Sequence, residues 1–243
     1  MKKIIFLLSL SLFATLSFAQ DHYVSLSMGS SVPLGTYSED SGSNTNGYAL
    51  PSFTLSFDGN YYFAPYLGIA VTANYGMNGV AEEELETDLK LHLRDLYFPP
   101  GYEFPPDTEV NFITSQWTYV NLLVGPVFSI PVASFNFQIR ALAGMSFTMP
   151  PTRDLSVKFE NTNLNHHAEG QSLKFGYLLG AGILYQPNSN YGLRLGTDYF
   201  STNSVIEIDY LYDDGSGGEE IITEKVEMPV TAMHITLGIV TFF

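Results

Sequence analysis

The sequence predicts an all-β chain, an eight-stranded antiparallel up-and-down transmembrane β-barrel with four long extracellular loops and short periplasmic turns. Three observations predict it. Eight segments alternate large apolar side chains with small or polar ones, the period of a strand with two unlike faces. The connections between them alternate short and long. Of 25 acidic residues, all but Asp21, Asp58 and Asp198 fall in the long connections.

The first segment, Tyr23 to Leu34, sets Val24, Leu26, Met28, Val32 and Leu34 against Ser25, Ser27, Gly29 and Ser31. The second, Ser52 to Phe63, sets Phe53, Leu55, Phe57, Tyr61 and Phe63 against Thr54, Ser56, Asp58 and Asn60. The third, Leu67 to Met77, alternates Ile69, Val71, Ala73 and Tyr75 with Gly68, Thr72, Asn74 and Gly76. The fourth, Thr118 to Ile130, is the most apolar, with Val120, Leu122, Val124, Val127 and Phe128. Pro126 removes a ladder donor there, so a bulge or irregular pairing is expected.

The fifth segment, Phe135 to Phe147, places Asn136, Gln138, Arg140 and Ser146 opposite Phe135, Phe137, Ile139 and Met145. The sixth, Leu173 to Tyr185, places Lys174, Gly176, Gly180 and Gly182 opposite Leu173, Phe175, Tyr177, Leu179 and Ile183. The seventh, from Tyr191, places Gly192, Arg194, Gly196 and Asp198 opposite Leu193, Leu195 and Tyr199. The eighth carries Met233, Ile235, Leu237, Ile239, Thr241 and Phe243 on its apolar face.

Short turns fall at Ala64-Pro65-Tyr66, Pro131 to Ser134 and Gln186 to Asn190. The long connections are Gly35 to Pro51, Asn78 to Trp117, Thr148 to Ser172 and Ser201 to about Pro229. In the second, Leu85, Leu89, Leu93 and Leu96 mark one face of a short amphipathic helix, either a cap over the barrel mouth or a partner-binding surface. In the fourth, the alternation from Val205 to Leu211 and from Ile221 to Glu227 predicts strands seven and eight continuing outward as a hairpin.

The N-terminus reads as an address. Lys2 and Lys3 precede the apolar run Ile4 to Phe18, and Ser17-Phe18-Ala19 is a small-x-small cleavage site. Residues 1–19 are expected to be a cleaved signal peptide, and 20–243 a single barrel domain. The chain has no cysteine, so neither disulfides nor a lipidated thiol hold it. Without Lys2 and Lys3, eight basic residues face 25 acidic ones. That balance excludes a nucleic-acid binder, which needs a basic footprint.

The large side chains are expected to face lipid. An eight-strand interior is only just wide enough for side chains. Glycine, serine, threonine and asparagine fit it; eight rows of Phe, Leu, Ile and Tyr overfill it. Tyr191, Tyr185, Phe135, Phe63 and Phe243 then form one aromatic girdle, and Tyr75, Phe147 and Tyr199 the other.

Gly29-Ser30-Ser31-Val32-Pro33-Leu34-Gly35, Leu67-Gly68-Ile69, Val124-Gly125-Pro126 and the terminal Phe243 together resemble the outer-membrane β-barrel proteins common in Bacteroidetes, small OmpA/OmpX-like barrels within a broad PorT-like class. The resemblance implies a Gram-negative cell outer membrane, with outer-membrane lipid and lipopolysaccharide as surroundings. It implies Phe243 as the assembly signal read by the barrel-assembly machinery. No cofactor is expected.

The inward face carries the charged residues Asp58, Arg140, Lys174, Arg194, Asp198 and His234. Charges in a closed lumen must be paired, so they are expected to form an ionic network that plugs the barrel; the other reading is an ion path. His166 and His167 with Glu169 suit zinc by ligand type, but neighbours in sequence rarely converge on one ion, and solvated loop residues are expected. Ser172, Ser201 and Ser204 with His166 or His167 are of the type used by rim-active lipid or peptide hydrolases and transferases, yet no spacing selects a set. Asp213-Asp214-Gly215-Ser216-Gly217 lacks the full spacing of a calcium loop. The acidic loops are expected to meet a protein partner or to bind divalent cations loosely beside lipopolysaccharide phosphates. The chain therefore reads as a non-enzymatic membrane protein without a metal site.

Overall fold

A computed structural model describes residues 22–40, 46–160, 162–188, 190–213 and 219–243. The expected signal peptide, Asp21 and the acidic stretch 214–218 lie outside these residues. The strands are β1 (Tyr23–Pro33), β2 (Ala49–Leu50), β3 (Ser52–Tyr62), β4 (Leu67–Val80), β5 (Glu109–Thr114), β6 (Trp117–Val132), β7 (Phe135–Met149), β8 (Arg153–Phe159), β9 (Thr162–Glu169), β10 (Ser172–Tyr185), β11 (Tyr191–Asp213) and β12 (Glu219–Phe242). An α-helix, α1 (Glu82–Tyr97), follows β4.

Eight strands, β1, β3, β4, β6, β7, β10, β11 and β12, close a ring in which all pairings are antiparallel. Closure comes from β1, which pairs with β3 on one side and β12 on the other; Tyr23 lies opposite both Asn60 and Phe242. A closed ring leaves no ladder edge among its strands, the condition for placing strands in hydrocarbon. The three short hairpins and the β1/β12 ends share one rim. At the tightest of them, Ala133 takes a φ of 54° in a two-residue turn.

The outward face is apolar throughout the ring. Leu26, Phe57, Ile69, Leu122, Ile139, Phe175, Leu195, Leu237 and Ile239 are all exposed. Phe63, Phe135, Tyr185, Tyr191 and Phe243 are exposed at the short-hairpin rim, with the Phe135 and Tyr185 rings 5.1 Å apart.

The interior differs from the expectation of small groups alone. Tyr23, Tyr62, Tyr119, Phe200, Phe242, Leu123, Leu142, Leu178 and Leu184 are buried within it. Glycines make the room: a Cβ on Gly76 would fall 2.0 Å from the Tyr119 ring, and one on Gly192 would fall 2.9 Å from the Phe242 ring. Large and small side chains on facing strands thus interlock. Val127, one of the apolar residues of the fourth segment, points inward, as its parity with Leu123 requires. At Pro126 there is no bulge. The β6–β7 pairing lapses between Val124↔Ala143 and Val127↔Arg140 but resumes in the same register.

The long connections are not plain loops. β8 and β9 form a hairpin inside the third one, β9 pairs with the upper part of β11, and β5 pairs with β8. Upper β12, upper β11, β9, β8 and β5 therefore make a cap sheet that continues the barrel wall. Leu85, Leu89 and Leu93 of α1 are buried, as are Leu155, Val157, Leu164, Ile206 and Ile208 from the sheet. Glu82, Glu83 and Glu84 sit in the first turn of α1, where the helix dipole favours carboxylates. Leu96, expected on the buried face, is exposed, because the helix ends one residue later and Phe98 turns extended.

Candidate functional site

The lumen is filled in layers. Near the short-hairpin rim the Tyr23 hydroxyl donates to Gln138 Oε1 at 2.7 Å, and Gln138 Nε2 donates to the Tyr62 hydroxyl at 2.6 Å. Above lies a cluster of four charged residues. Arg140 of β7 donates from Nε and Nη2 to the two carboxylate oxygens of Asp198 on β11, at 3.0 and 2.7 Å. Its Nη1 donates to Asp58 Oδ1 of β3 at 2.6 Å. Asp58 also accepts from the Thr72 hydroxyl at 2.6 Å and the Ser25 hydroxyl at 3.3 Å. Arg194 Nη1 stands 3.5 Å from Asp58 Oδ2. Two guanidinium groups face two carboxylates, so the cluster carries no net charge.

All four are buried, and geometry explains why they meet. Arg194 and Asp198 are four apart on one strand and so share a face. Arg140 lies opposite Gly180 on β10, which in turn lies opposite Asp198 on β11. A Cβ on Gly180 would fall 1.9 Å from Asp198 Oδ1, so the glycine opens the path for the bidentate contact.

Toward the long-connection rim, Asn121 Nδ2 donates to Asn74 Oδ1 at 3.1 Å. His234 joins a different group: its Nε2 lies 2.7 Å from the Tyr119 hydroxyl, which lies 2.8 Å from Ser31 Oγ. The mouth is closed by Tyr37 edge-on to Trp117, whose indole N–H donates to the Gly47 carbonyl at 2.8 Å.

The structure thus brings together Asp58, Arg140, Arg194 and Asp198. His234 is in the same lumen but hydrogen-bonds a tyrosine. Lys174 has the inward parity, yet it sits at the rim, where Nζ lies 3.4 Å from Glu227 Oε1 and the side chain is part-exposed. Phe243 is exposed beside the His22 ring, with its N–H bonded to the His22 carbonyl at 2.9 Å. Sequence reasoning missed Ser25, Thr72, Tyr23, Gln138 and Tyr119 as partners. Their signal was available: each lies on the inward face of its strand, where Ser25 and Thr72 meet Asp58, Tyr119 meets His234, and Tyr23 meets Gln138.

The cap separates the two adjacent histidines. His166 is buried and His167 half-exposed, because neighbours on a strand point to opposite faces. His167 Nδ1 lies 2.5 Å from Asp154 Oδ1, and Nε2 lies 3.9 Å from Glu169. The carboxylate hydrogen bond raises the His167 pKa. Burial, with Arg153 nearby, lowers that of His166 to about 3. Both histidines thus belong to a strand rather than a solvated loop. Among the described residues no three His, Asp or Glu side chains converge as a metal site would require. Ser172 and Ser204 bond the Thr148 hydroxyl at 2.7 and 3.1 Å, and Ser201 bonds Thr231. Where the cap leaves the wall, a polar cleft of about 1080 Å³ is lined by Ser115, Thr152, Glu169, Glu207, Asp209 and Lys225.

A lipid-type outer face around a closed, polar, side-chain-filled ring leaves one comparison to make. The family model described as outer membrane protein beta-barrel domain matches residues 5–238. The chain belongs to that family. An outer membrane protein beta-barrel domain places it in the outer membrane, where the apolar band of this ring has its solvent. A search of curated proteins finds no match. Among solved structures, the attachment invasion locus protein Ail of Yersinia pestis aligns over 92% of this chain and 100% of its own, at 14% identity and a TM-score of 0.40. The outer membrane protein OprG of Pseudomonas aeruginosa aligns over 91% and 96%, at 11% identity and 0.43. The outer membrane protease OmpT of Escherichia coli aligns over 95% and 100%, at 12% identity and 0.36. Likeness this distant says nothing about activity.

Proposed function

We propose that this chain is a non-enzymatic outer-membrane barrel whose lumen is sealed by side chains and whose cap meets a partner outside the cell. The observation that carries the sealed lumen is Arg140, which ties Asp58 and Asp198 together across the ring. A charge-neutral, hydrogen-bonded plug in an eight-strand interior leaves no aqueous path. The polarity of the cap supports the outward orientation. Its exposed side carries Asp154, Glu169, Glu207 and Asp209, and its inner side carries leucine and isoleucine. Such a surface favours cationic or metal-bridged partners. The short-hairpin rim, with the ends of β1 and β12, then faces the periplasm.

Conductance in planar bilayers tests the seal: the refolded protein gives no stable open-channel current, and a steady current overturns the plug. The native chain has no cysteine, so a cysteine at Glu224 gives one unambiguous reporter of orientation. A membrane-impermeant maleimide labels it on intact cells if the cap is outside. Labelling only after the outer membrane is broken reverses the assignment.

A further inference from the structure

The lipid-facing wall is not uniform. An apolar groove of about 620 Å³ crosses it, lined by Leu67, Phe128, Ile139, Leu179, Tyr199 and Met233. Its floor is small: Pro126, Ala141, Ala181 and Thr197 lie between these bulky walls. The pairings trace its course. Leu67 lies opposite Phe128, Phe128 opposite Ile139, Ile139 opposite Ala181, and Tyr199 opposite Met233. It therefore runs from β4 to β12 across six neighbouring ring strands, about 24 Å at the usual strand spacing.

The track is oblique. Leu67 is the first residue of β4, at the short-hairpin rim, whereas Met233 is nine residues from the end of β12 at that same rim. The groove thus enters the wall at one membrane surface and climbs toward the middle of the hydrocarbon. Its floor coincides with the lapse in the β6–β7 ladder at Gly125 and Pro126. A Cβ on Gly125 would fall 2.1 Å from the Ala141 carbonyl, so this stretch admits no added bulk there.

We infer that this groove seats one acyl chain of a phospholipid, held apart from the exchanging lipid around it. The surroundings select a hydrocarbon occupant: the groove is continuous with the lipid-facing band, and its lining is apolar apart from Thr197, the Tyr199 ring and Arg140, whose guanidinium is turned to Asp58 and Asp198 in the lumen. A leaflet supplies about 15 Å of chain depth, half the hydrocarbon core, and an inclined chain of that reach fits the climb from rim to mid-wall. Phospholipid, rather than lipopolysaccharide, rests on the orientation proposed above, which puts the Leu67 end in the periplasmic leaflet.

Native mass spectrometry of the mature protein, extracted from outer membranes in mild detergent, tests this. The wild type retains one phospholipid through detergent exchange. The double variant A141F/A181F, which fills the floor, retains about tenfold less, the loss expected for displacing two buried methylenes. A variant that adds outward bulk outside the groove, Val124→Phe, retains as much as wild type. Circular dichroism confirms that all three are folded barrels. A wild type that retains no lipid, or a filled variant that retains it equally, overturns the groove. Retention of lipopolysaccharide instead overturns the choice of lipid and, with the Glu224 label, separates an error of orientation from an error about the groove.

Discussion

The lower and upper halves of β11 obey the same geometry and opposite chemistry. Even-numbered residues point inward along the described part of the strand. In the barrel these include Arg194, Gly196 and Asp198; in the cap they are Ile206 and Ile208. Odd-numbered residues point outward. In the barrel these include Leu193 and Leu195, and in the cap Glu207 and Asp209. The β12 strand inverts at the same level, from outward Ile239, Leu237 and Ile235 to Glu227 and Lys225. Parity never slips, so the inversion reports a change of solvent. It falls between Tyr199 and Glu207, and it marks where hydrocarbon gives way to water.

The sharpest test of the barrel half removes the charge that its lumen is built around. Arg140→Ala leaves Asp58 and Asp198 buried without their shared guanidinium. Breaking a buried pair by deleting one partner costs about 3–5 kcal/mol. Urea unfolding in lipid vesicles is expected to show that loss. The quadruple variant D58N/R140M/R194M/D198N, which leaves no isolated charge in the cluster, recovers most of it. Equal stability of R140A and wild type breaks the claim that the inward barrel face depends on charge pairing.

Outward substitutions test the inversion itself. Leu237→Arg places a cation in the lipid-facing band, at a cost of about 2–4 kcal/mol near the bilayer midplane. Glu207→Leu makes the reverse exchange on the cap and is expected to change stability by no more than about 0.5 kcal/mol, the ordinary range for a surface site. Both are read by the same vesicle unfolding assay. If the two variants cost alike, the band does not face lipid at Leu237.

The barrel half was legible because period two and closure leave little choice. Gly192, Arg194, Gly196 and Asp198 announce an inward face by parity alone, and the eight ring strands match the eight alternating segments. The outward continuation of β11 and β12 as a hairpin was equally plain from Val205, Glu207 and Asp209. The cap strands β5, β8 and β9 were not read. Arg153, Leu155, Val157 and Phe159 do alternate, but they bury an arginine beside the apolar residues, so the run resembled a mixed loop. Their burial depends on α1 and on upper β11, partners that lie far away in sequence. The bulky luminal rings escaped for a related reason. Tyr119 is accommodated by Gly76 across a neighbouring strand, and that pairing is invisible until the register is known. Lys174 had the parity of the lumen; only its height on the strand puts it at the rim.

The two histidines of β9 give the gentlest test, and they carry the same inside–outside contrast into pH. His166 resists its proton down to about pH 3 in the folded cap, whereas in an unfolded cap it takes one near pH 6.5. Acidification through that window therefore favours the open cap, because only the unfolded form gains the proton. His167 has the opposite sign. Its folded pKa is raised by the Asp154 hydrogen bond, so its contribution is present in full below about pH 6.5 and fades as pH rises through the folded value. Its half-exposed position limits that contribution to less than about 1 kcal/mol. Hydrogen exchange at the β8 and β9 amides, compared at pH 7.5 and pH 4.5, reads both. Relative to the intrinsic amide rate at each pH, the wild-type cap is expected to be less protected at pH 4.5, His166→Phe to lose that acid sensitivity, and His167→Gln to be less protected than wild type at pH 4.5 with little difference at pH 7.5. Acid sensitivity that survives in the His166 variant would mean that the burial of His166 is not what sets the cap's response to acid. The contrast between the two faces would then have to rest on the carboxylates of its outer side.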